Sequence, residues 1–577
     1  MVKSKSKQKI KGECMKFSQY PTNVPKLEDI QRDFGALLEK FEKATTANEA
    51  IKTVKKVQAY SDELGTDITI INIRFSLNVN DKKISEANDY LDTIYPYISQ
   101  LSNRFNKLIV ASPFRAQLEK TFGEYLFKMI DSSLKCFDDS IMDLMAKEAK
   151  LQTEYQRLIS GAKIRFRGET YNLSQMGKFT QDKDRDTRKL AYKTTTKFFE
   201  KNDEKLGQIY GDLVLLRDEM ARKLGFKNFV ELGYLKLGRL DYTAEEVKGY
   251  RDQIYREVVP FVNRLYRKIA KRAGIKSPKI YDLNQSFADG NPTPKGDMEY
   301  LVKQATKMYD EMSSETSEFF NFMVENELLD LDARAGKRGG GYMTYMPRYK
   351  APFIFANFNG TQGDVDVLTH EVGHAFQGYQ SRDIAVPEYR MPTLEACEIH
   401  SMSMEFFAWP WMNLFFEEDQ KYHLSHLEGA VKFLPYGVSV DEFQEWVYEN
   451  PNVTHEERCA KWREIEKKYL PIRKYTGLKY LEKGTFWLRQ GHIFTSPFYY
   501  IDYTLAQVLA FQFATEMFKN RDKAWKKYVK LCKLGGRYPF VELLEKAKLR
   551  NPFVEGNVKK VITPIKKKIK QLNEQLG

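Results

Sequence analysis

Two histidines, His370 and His374, stand four positions apart with a glutamate between them, in the run His370-Glu371-Val372-Gly373-His374. Residues at i and i+4 share one face of a helix, so the two imidazoles reach the same point in space and can share one zinc ion. Glu371 sits beside them, within reach of a water at that point, and can take its proton. That chemistry is hydrolysis. A five-residue pattern also arises by chance in a long chain, so its surroundings carry the weight.

A hydrolytic zinc site takes three protein ligands and leaves one position open. The metzincin arrangement places a third histidine six residues after the second, where this chain has Gln380. The thermolysin arrangement places a glutamate about twenty residues after the second histidine, where this chain has Leu394. A third arrangement draws the ligand from the next helix. After Pro392, the segment Thr393-Leu-Glu-Ala-Cys-Glu-Ile-His-Ser-Met-Ser-Met-Glu-Phe-Phe offers Glu395, Glu398 and Glu405. Cys397 and His400 fall on other faces and read as packing residues. Glu405, Asp364 and Asp366 read as caps or pairing groups, or as the carboxylate that orients a ligand histidine through its second ring nitrogen.

HEVGHAFQ followed by EIHSMSME resembles the oligoendopeptidase F family of zinc metallopeptidases, relatives of thimet oligopeptidase and dipeptidyl carboxypeptidase. The resemblance implies that Glu398, heading an E-x-x-S-x-x-x-E segment, is the third ligand and Glu405 the later acid; Glu395, one turn earlier, is the rival. GGYMTYMPRYKAPFIFANFNGTQGDVDVLTHEVGH resembles the family's substrate-edge strand running into the metal helix, and DKDRDTRKLAYKT its approach to the catalytic region. GHIFTSPFYYIDY resembles the segment that supplies histidine and tyrosine donors. By that match Tyr500 stabilises the transition state, while His492 and Tyr503 share the role or contact substrate. Tyr499 is the alternative to Tyr500, because the spacing from His492 differs slightly from thimet oligopeptidase. The similarity covers most of the chain, most specifically residues 336–410 and 484–510. It implies one zinc ion, a mainly α-helical, two-lobed zincin-type metallopeptidase fold with a deep substrate channel, and a small sheet beside the active-site helix. It further implies hydrolysis of internal bonds in short unfolded peptides, with Glu371 as general base. Release of C-terminal dipeptides, carboxypeptidase action and idle peptide binding are the competing readings.

The elements that must hold these residues are mostly helices. Residues 26–60, 81–110, 112–160, 186–225 and 244–273 carry apolar positions at three- and four-residue spacing, with Asp182 or Asp184 capping the fourth run. Pro21, Pro25, Pro96 and Pro113 are expected to break the first third into pieces. Strand signals are confined to a hairpin near 162–171 and to residues 337–363, where three glycines precede β-prone runs interrupted by Pro347 and Pro352. Proline favours sheet edges, so this is expected to be a small sheet with an exposed edge. The strand from about Ala351 to Asn357 is expected to pair with a peptide backbone, with Gly340 and Gly341 letting substrate approach and Phe355 and Ala356 in contact with it. A helix beginning at Asp364 or Asp366 follows directly.

At 577 residues the chain exceeds one core, and the expected division is a helical lobe over 1–180 and a catalytic region over 181–577. The net charge of +14 is spread along the chain and thickens at the ends, which reads as a solvated surface and not as a nucleic-acid interface. No apolar run spans a membrane or follows the basic start of the chain, and five scattered cysteines fit reduced thiols, so the expected location is the cytoplasm.

Overall fold

A computed structural model describes residues 15–576; Cys14 and the basic start of the chain lie outside them. The protein is mainly α-helical with two small sheets. The periodic runs fold as helices, the run 81–110 in one piece and the others divided, with the first extending past residue 60. The first divides into Leu27–Glu42 and Ala47–Leu77, because Thr46 caps a new start by accepting from the Glu49 amide at 3.3 Å. The fourth begins at Arg185 with Asp184 as its cap, its carboxylate accepting from the Thr187 amide at 2.8 Å.

Pro96 corrects the reading of the first third. It lies inside one continuous helix, Lys82–Val110, where it is buried. A proline removes a single hydrogen bond, and an apolar face along a 29-residue helix outweighs that loss.

Strands β1 (Ile164–Phe166) and β2 (Glu169–Tyr171) form the expected hairpin, turning at Arg167 and Gly168, both with positive φ (51° and 90°). The second sheet contains β3 (Leu329–Asp332), β4 (Tyr342–Met346) and β5 (Ala351–Phe358) in the order β3-β5-β4. β5 is therefore central, antiparallel to β4 and parallel to β3. This overturns the expectation that β5 offers a free edge: its ladder is filled on both sides, and Phe355 and Ala356 are fully buried. Pro352 tolerates the position because β3 pairs only with residues from Ile354 onward. The edge strand on this side is β4.

The helix that carries the paired histidines, Gln362–Gln380, follows β5 and packs on it. It starts two residues before Asp364. That carboxylate instead accepts from the Asn359 and Gly360 amides at 2.9 and 2.7 Å, closing the turn that aims the helix. The glutamate helix, Leu394–Phe407, is sandwiched between the histidine helix and Tyr500–Met517 and is buried along nearly all its length. Among the described residues no helix is long and apolar enough to cross a membrane.

Candidate metal centre and catalytic surroundings

His370, His374 and Glu398 converge, their ligand atoms all within 4.8 Å of one another. Glu398 Oε2 lies 3.1 Å from His370 Nε2 and 3.4 Å from His374 Nε2. Ligands about 2.1 Å from a tetrahedral ion stand about 3.4 Å apart, so the donor set and its spacing fit one zinc ion. The two helices come this close because Gly373 faces the glutamate helix. A Cβ there would stand 2.6 Å from Ser401 Cα and 2.7 Å from the His400 carbonyl oxygen. Burial alone would raise the Glu398 carboxyl, but the two imidazoles hold it well below the usual range. Ser401 Oγ donates to its Oε2 at 2.8 Å, and the Tyr499 hydroxyl donates to its Oε1.

Glu395 points away. Its carboxyl accepts from Tyr242 Oη at 3.0 Å, and burial pushes it above the usual carboxylate range. His400 and Cys532 pair with each other at 3.4 Å behind the glutamate helix, and Cys397 is buried against the Pro392 carbonyl.

Glu405 does for His370 what a supporting carboxylate does for a metal-binding imidazole. Its Oε1 lies 2.7 Å from His370 Nδ1, and its Oε2 lies 2.8 Å from His426 Nε2. The Trp409 indole N–H can only donate, and it faces His426 Nδ1 at 3.2 Å. His426 must therefore carry its proton on Nε2 and donate it to Glu405. Glu405 in turn accepts from His370 Nδ1–H, which leaves His370 Nε2 with its lone pair toward the ligand cluster. Asp366 lies off this chain, accepting from Tyr422 Oη at 2.8 Å.

Glu371 is buried, and its Oε2 finds no partner among the described residues. Burial pushes its carboxyl above the usual range, with the two imidazoles opposing. A Cβ on Gly341 would stand 3.5 Å from its other oxygen, so the glycine leaves open the space beside the carboxylate. Gly340 (φ 90°) is exposed one residue earlier, its carbonyl accepting from Asn357 Nδ2 at 2.8 Å.

The aromatic segment arrives from the other side. The Tyr436 hydroxyl donates to Gln490 Oε1 at 2.9 Å, which turns the amide so that Nε2 donates to His492 Nδ1 at 2.8 Å. His492 Nε2–H then faces the Tyr503 oxygen at 3.2 Å, so Tyr503 keeps its own phenolic proton as a donor, with Tyr499 as its other hydrogen-bonding neighbour. Burial pushes Tyr500 and Tyr503 well up and His492 down, so both phenols keep their protons and the imidazole stays neutral. Tyr500 packs on Phe433 and Tyr436 and lines one cavity with His492, Tyr503 and Glu405, whereas the Tyr499 hydroxyl is engaged by Glu398. Sequence reasoning did not find Trp409, His426 or Gln490. His426 comes from a separate helix, Asp419–Glu449, while Gln490 and Trp409 lie two and four residues from His492 and Glu405, and none of the three sits in a spacing that marks it.

Residues 178–561 match peptidase family M3, and residues 17–137 match the peptidase M3 N-terminal domain. A protein of Borreliella burgdorferi named oligoendopeptidase F homolog is 25% identical over 442 residues, 71% of each chain. Among solved structures, PZ peptidase A with an inhibitor is 48% identical, with a TM-score of 0.95, covering 97% of this chain and 99% of that one. A Bacillus anthracis str. Ames structure named for oligoendopeptidase F is 47% identical, with a TM-score of 0.91, over 97% and 99% of the two chains.

Proposed function

The chain belongs to peptidase family M3, and from that premise we propose that it is a zinc-dependent endopeptidase acting on short unfolded oligopeptides. The observation that carries the reading is the cluster of His370, His374 and Glu398 with the unpartnered carboxylate of Glu371 beside it. His370 and His374 would hold the ion through Nε2, and Glu398 through its carboxylate. Zinc, when bound, polarises a peptide carbonyl and makes a neighbouring water more acidic.

The protein's own groups do the rest. Glu371 takes the proton of the attacking water and delivers it to the leaving amine, a transfer suited to a carboxyl raised by burial. The oxygen that gains charge is met by pre-placed donors, Tyr500 and Tyr503, with His492 holding the latter in orientation. Glu405, His426 and Trp409 keep His370 in the tautomer that presents Nε2. Substrate lies along β4, the edge strand that faces the cavity described next, and is read by backbone more than by side chain. A cavity of about 420 Å³ supports this path. It runs between Arg338, Gly339 and Tyr342–Thr344 on one side and the helices Ala47–Leu77, Lys82–Val110 and Met142–Ser160 on the other. We read those helices, within a lobe over 1–180, as the channel wall opposite the catalytic region over 181–577.

The test is hydrolysis of a short, end-blocked, internally quenched peptide. Activity in the wild type, its loss in Glu371→Gln and after chelation, and its return with zinc alone are the expected results. A wild type that binds zinc yet leaves a varied set of blocked peptides intact refutes the endopeptidase reading.

A further inference from the structure

The cavity that Tyr500 and Tyr503 share has a volume of about 370 Å³. Its far wall is the helix Asp419–Glu449, which contributes Gly429, Ala430 and Phe433; Met402 of the glutamate helix closes another side. Most of its polar lining is already committed. Glu405 is held by His370 and His426, Asp366 by Tyr422, and Ser425 by Gln362 at 2.7 Å. Apart from the Tyr500 and Tyr503 hydroxyls, which the proposed reaction uses, what faces the space freely is aliphatic and aromatic carbon, with one exception. Gln507 is 4% exposed, lines the cavity, and its Nε2 finds no partner among the described residues.

Gly429 and Phe433 stand one turn apart on one helix face. Long helical side chains lean toward the N-terminus of their helix, so a side chain at 429 would extend over the cavity floor toward Ser425 and His426, which line it too, while the Phe433 ring lies on the other side, toward Gly437. A Cβ built on Gly429 meets nothing within 4 Å. Glycine is therefore not required there by packing, and its φ is not in the left-handed region. The helix would be more stable with alanine.

We propose that this cavity is the subsite for the side chain of a residue flanking the scissile bond. It takes a bulky apolar side chain up to an aromatic ring, Gly429 sets its depth, and Gln507 meets a polar tip. The inference rests on the endopeptidase reading. It fixes a substrate preference which that reading leaves open, namely blocked peptides with Leu, Phe or Tyr beside the cleaved bond over peptides with Ala there. Tyr is favoured over Phe, because only its hydroxyl oxygen can accept from Gln507.

The experiment uses zinc-loaded full-length protein and blocked peptides that differ only in the residues on either side of the cleaved bond, with product masses locating the cut. The wild type is expected to prefer Phe to Ala by about tenfold or more in kcat/KM, the size of effect a filled apolar pocket gives. Gly429→Leu is expected to erase that ratio, and Gly429→Ala, which keeps the helix, to reduce it in the same direction. Gln507→Met is expected to lower the Tyr-to-Phe ratio while the Phe-to-Ala ratio stays high. A Phe-to-Ala ratio near one in the wild type, or one untouched in both Gly429 variants, overturns the subsite with the peptidase reading intact. A Tyr-to-Phe ratio untouched by Gln507→Met overturns the polar tip. A wild type that cleaves no peptide in the set refutes both the subsite and the activity beneath it.

Discussion

Replacing Gly373 by alanine adds one methyl group where the histidine helix crosses the glutamate helix. That carbon would stand 2.6 Å from Ser401 Cα, 2.7 Å from the His400 oxygen and 2.9 Å from Met404 Cβ. Carbon atoms rest at about 3.5–4.0 Å, so the helices must part by roughly 1 Å at this point. Two of the contacts are to backbone, which cannot rotate out of the way. His374 is the next residue, and Glu398 lies one turn from Ser401, so the separation falls on the proposed ligand set, and metal-ligand distances tolerate only about 0.2 Å. Overpacking of this kind costs about 1–3 kcal/mol. Carried by the ligand set, it becomes about 5- to 150-fold in zinc affinity. Helix propensity acts with the opposite sign, since Gly→Ala inside a helix stabilises by up to about 1 kcal/mol. Titrating dialysed protein with zinc against a chromophoric chelator reads the affinity, and thermal unfolding in excess chelator reads the packing. Zinc affinity within twofold of wild type, with unfolding unchanged or raised, would refute the claim that this glycine sets the separation of the ligand helices.

The remaining predictions concern groups around the site and far from it. Glu398→Gln should lose stoichiometric zinc while Glu395→Gln keeps it, as read by metal analysis after gel filtration; the reverse pattern would make Glu395 the ligand. His426→Gln or Trp409→Phe should weaken zinc binding about 10- to 100-fold through loss of the tautomer-setting chain, measured by the same chelator competition. Arg239 and Asp502 form a fully buried pair at 2.6 Å, so Arg239→Met should cost about 3–5 kcal/mol in urea unfolding, and a cost under about 1 kcal/mol would contradict that. Burial alone would lower His455, but Asp203 and Cys459 raise it to about 10. Its contribution to stability is therefore complete below about pH 6.5 and fades as pH climbs through 10. The stability gap between wild type and His455→Gln should narrow from pH 6 to pH 10, and a gap flat with pH would show that the imidazole is not held protonated.

The histidine helix was legible because its information is local: spacing along one helix decides where His370, Glu371 and His374 point. Glu398 was less so, since Glu395, Glu398 and Glu405 all lie on one helix and only its neighbours decide which one turns inward. Tyr242 and Arg239 draw Glu395 away, and His426 draws Glu405 to a supporting place. The sheet was misread for a physical reason. β3 is Leu-Asp-Leu-Asp, a short strand whose two aspartates look like loop residues, and without it β5 looked like an edge. Pro96 misled because the rule against proline in helices is one of cost, and a long buried face covers that cost.

The glutamate helix is buried between the histidine helix and Tyr500–Met517, which bears on the order in which the protein is made. A nascent chain that has released His374 from the ribosome still lacks the helix that must cover Glu398, along with His492, Tyr500 and Tyr503. About 130 more residues have to follow, which at about 5–20 residues per second is roughly 6–26 s. During that interval the metal-binding half of the site has no partner to complete it. The site is thus assembled only after most of the protein has been built.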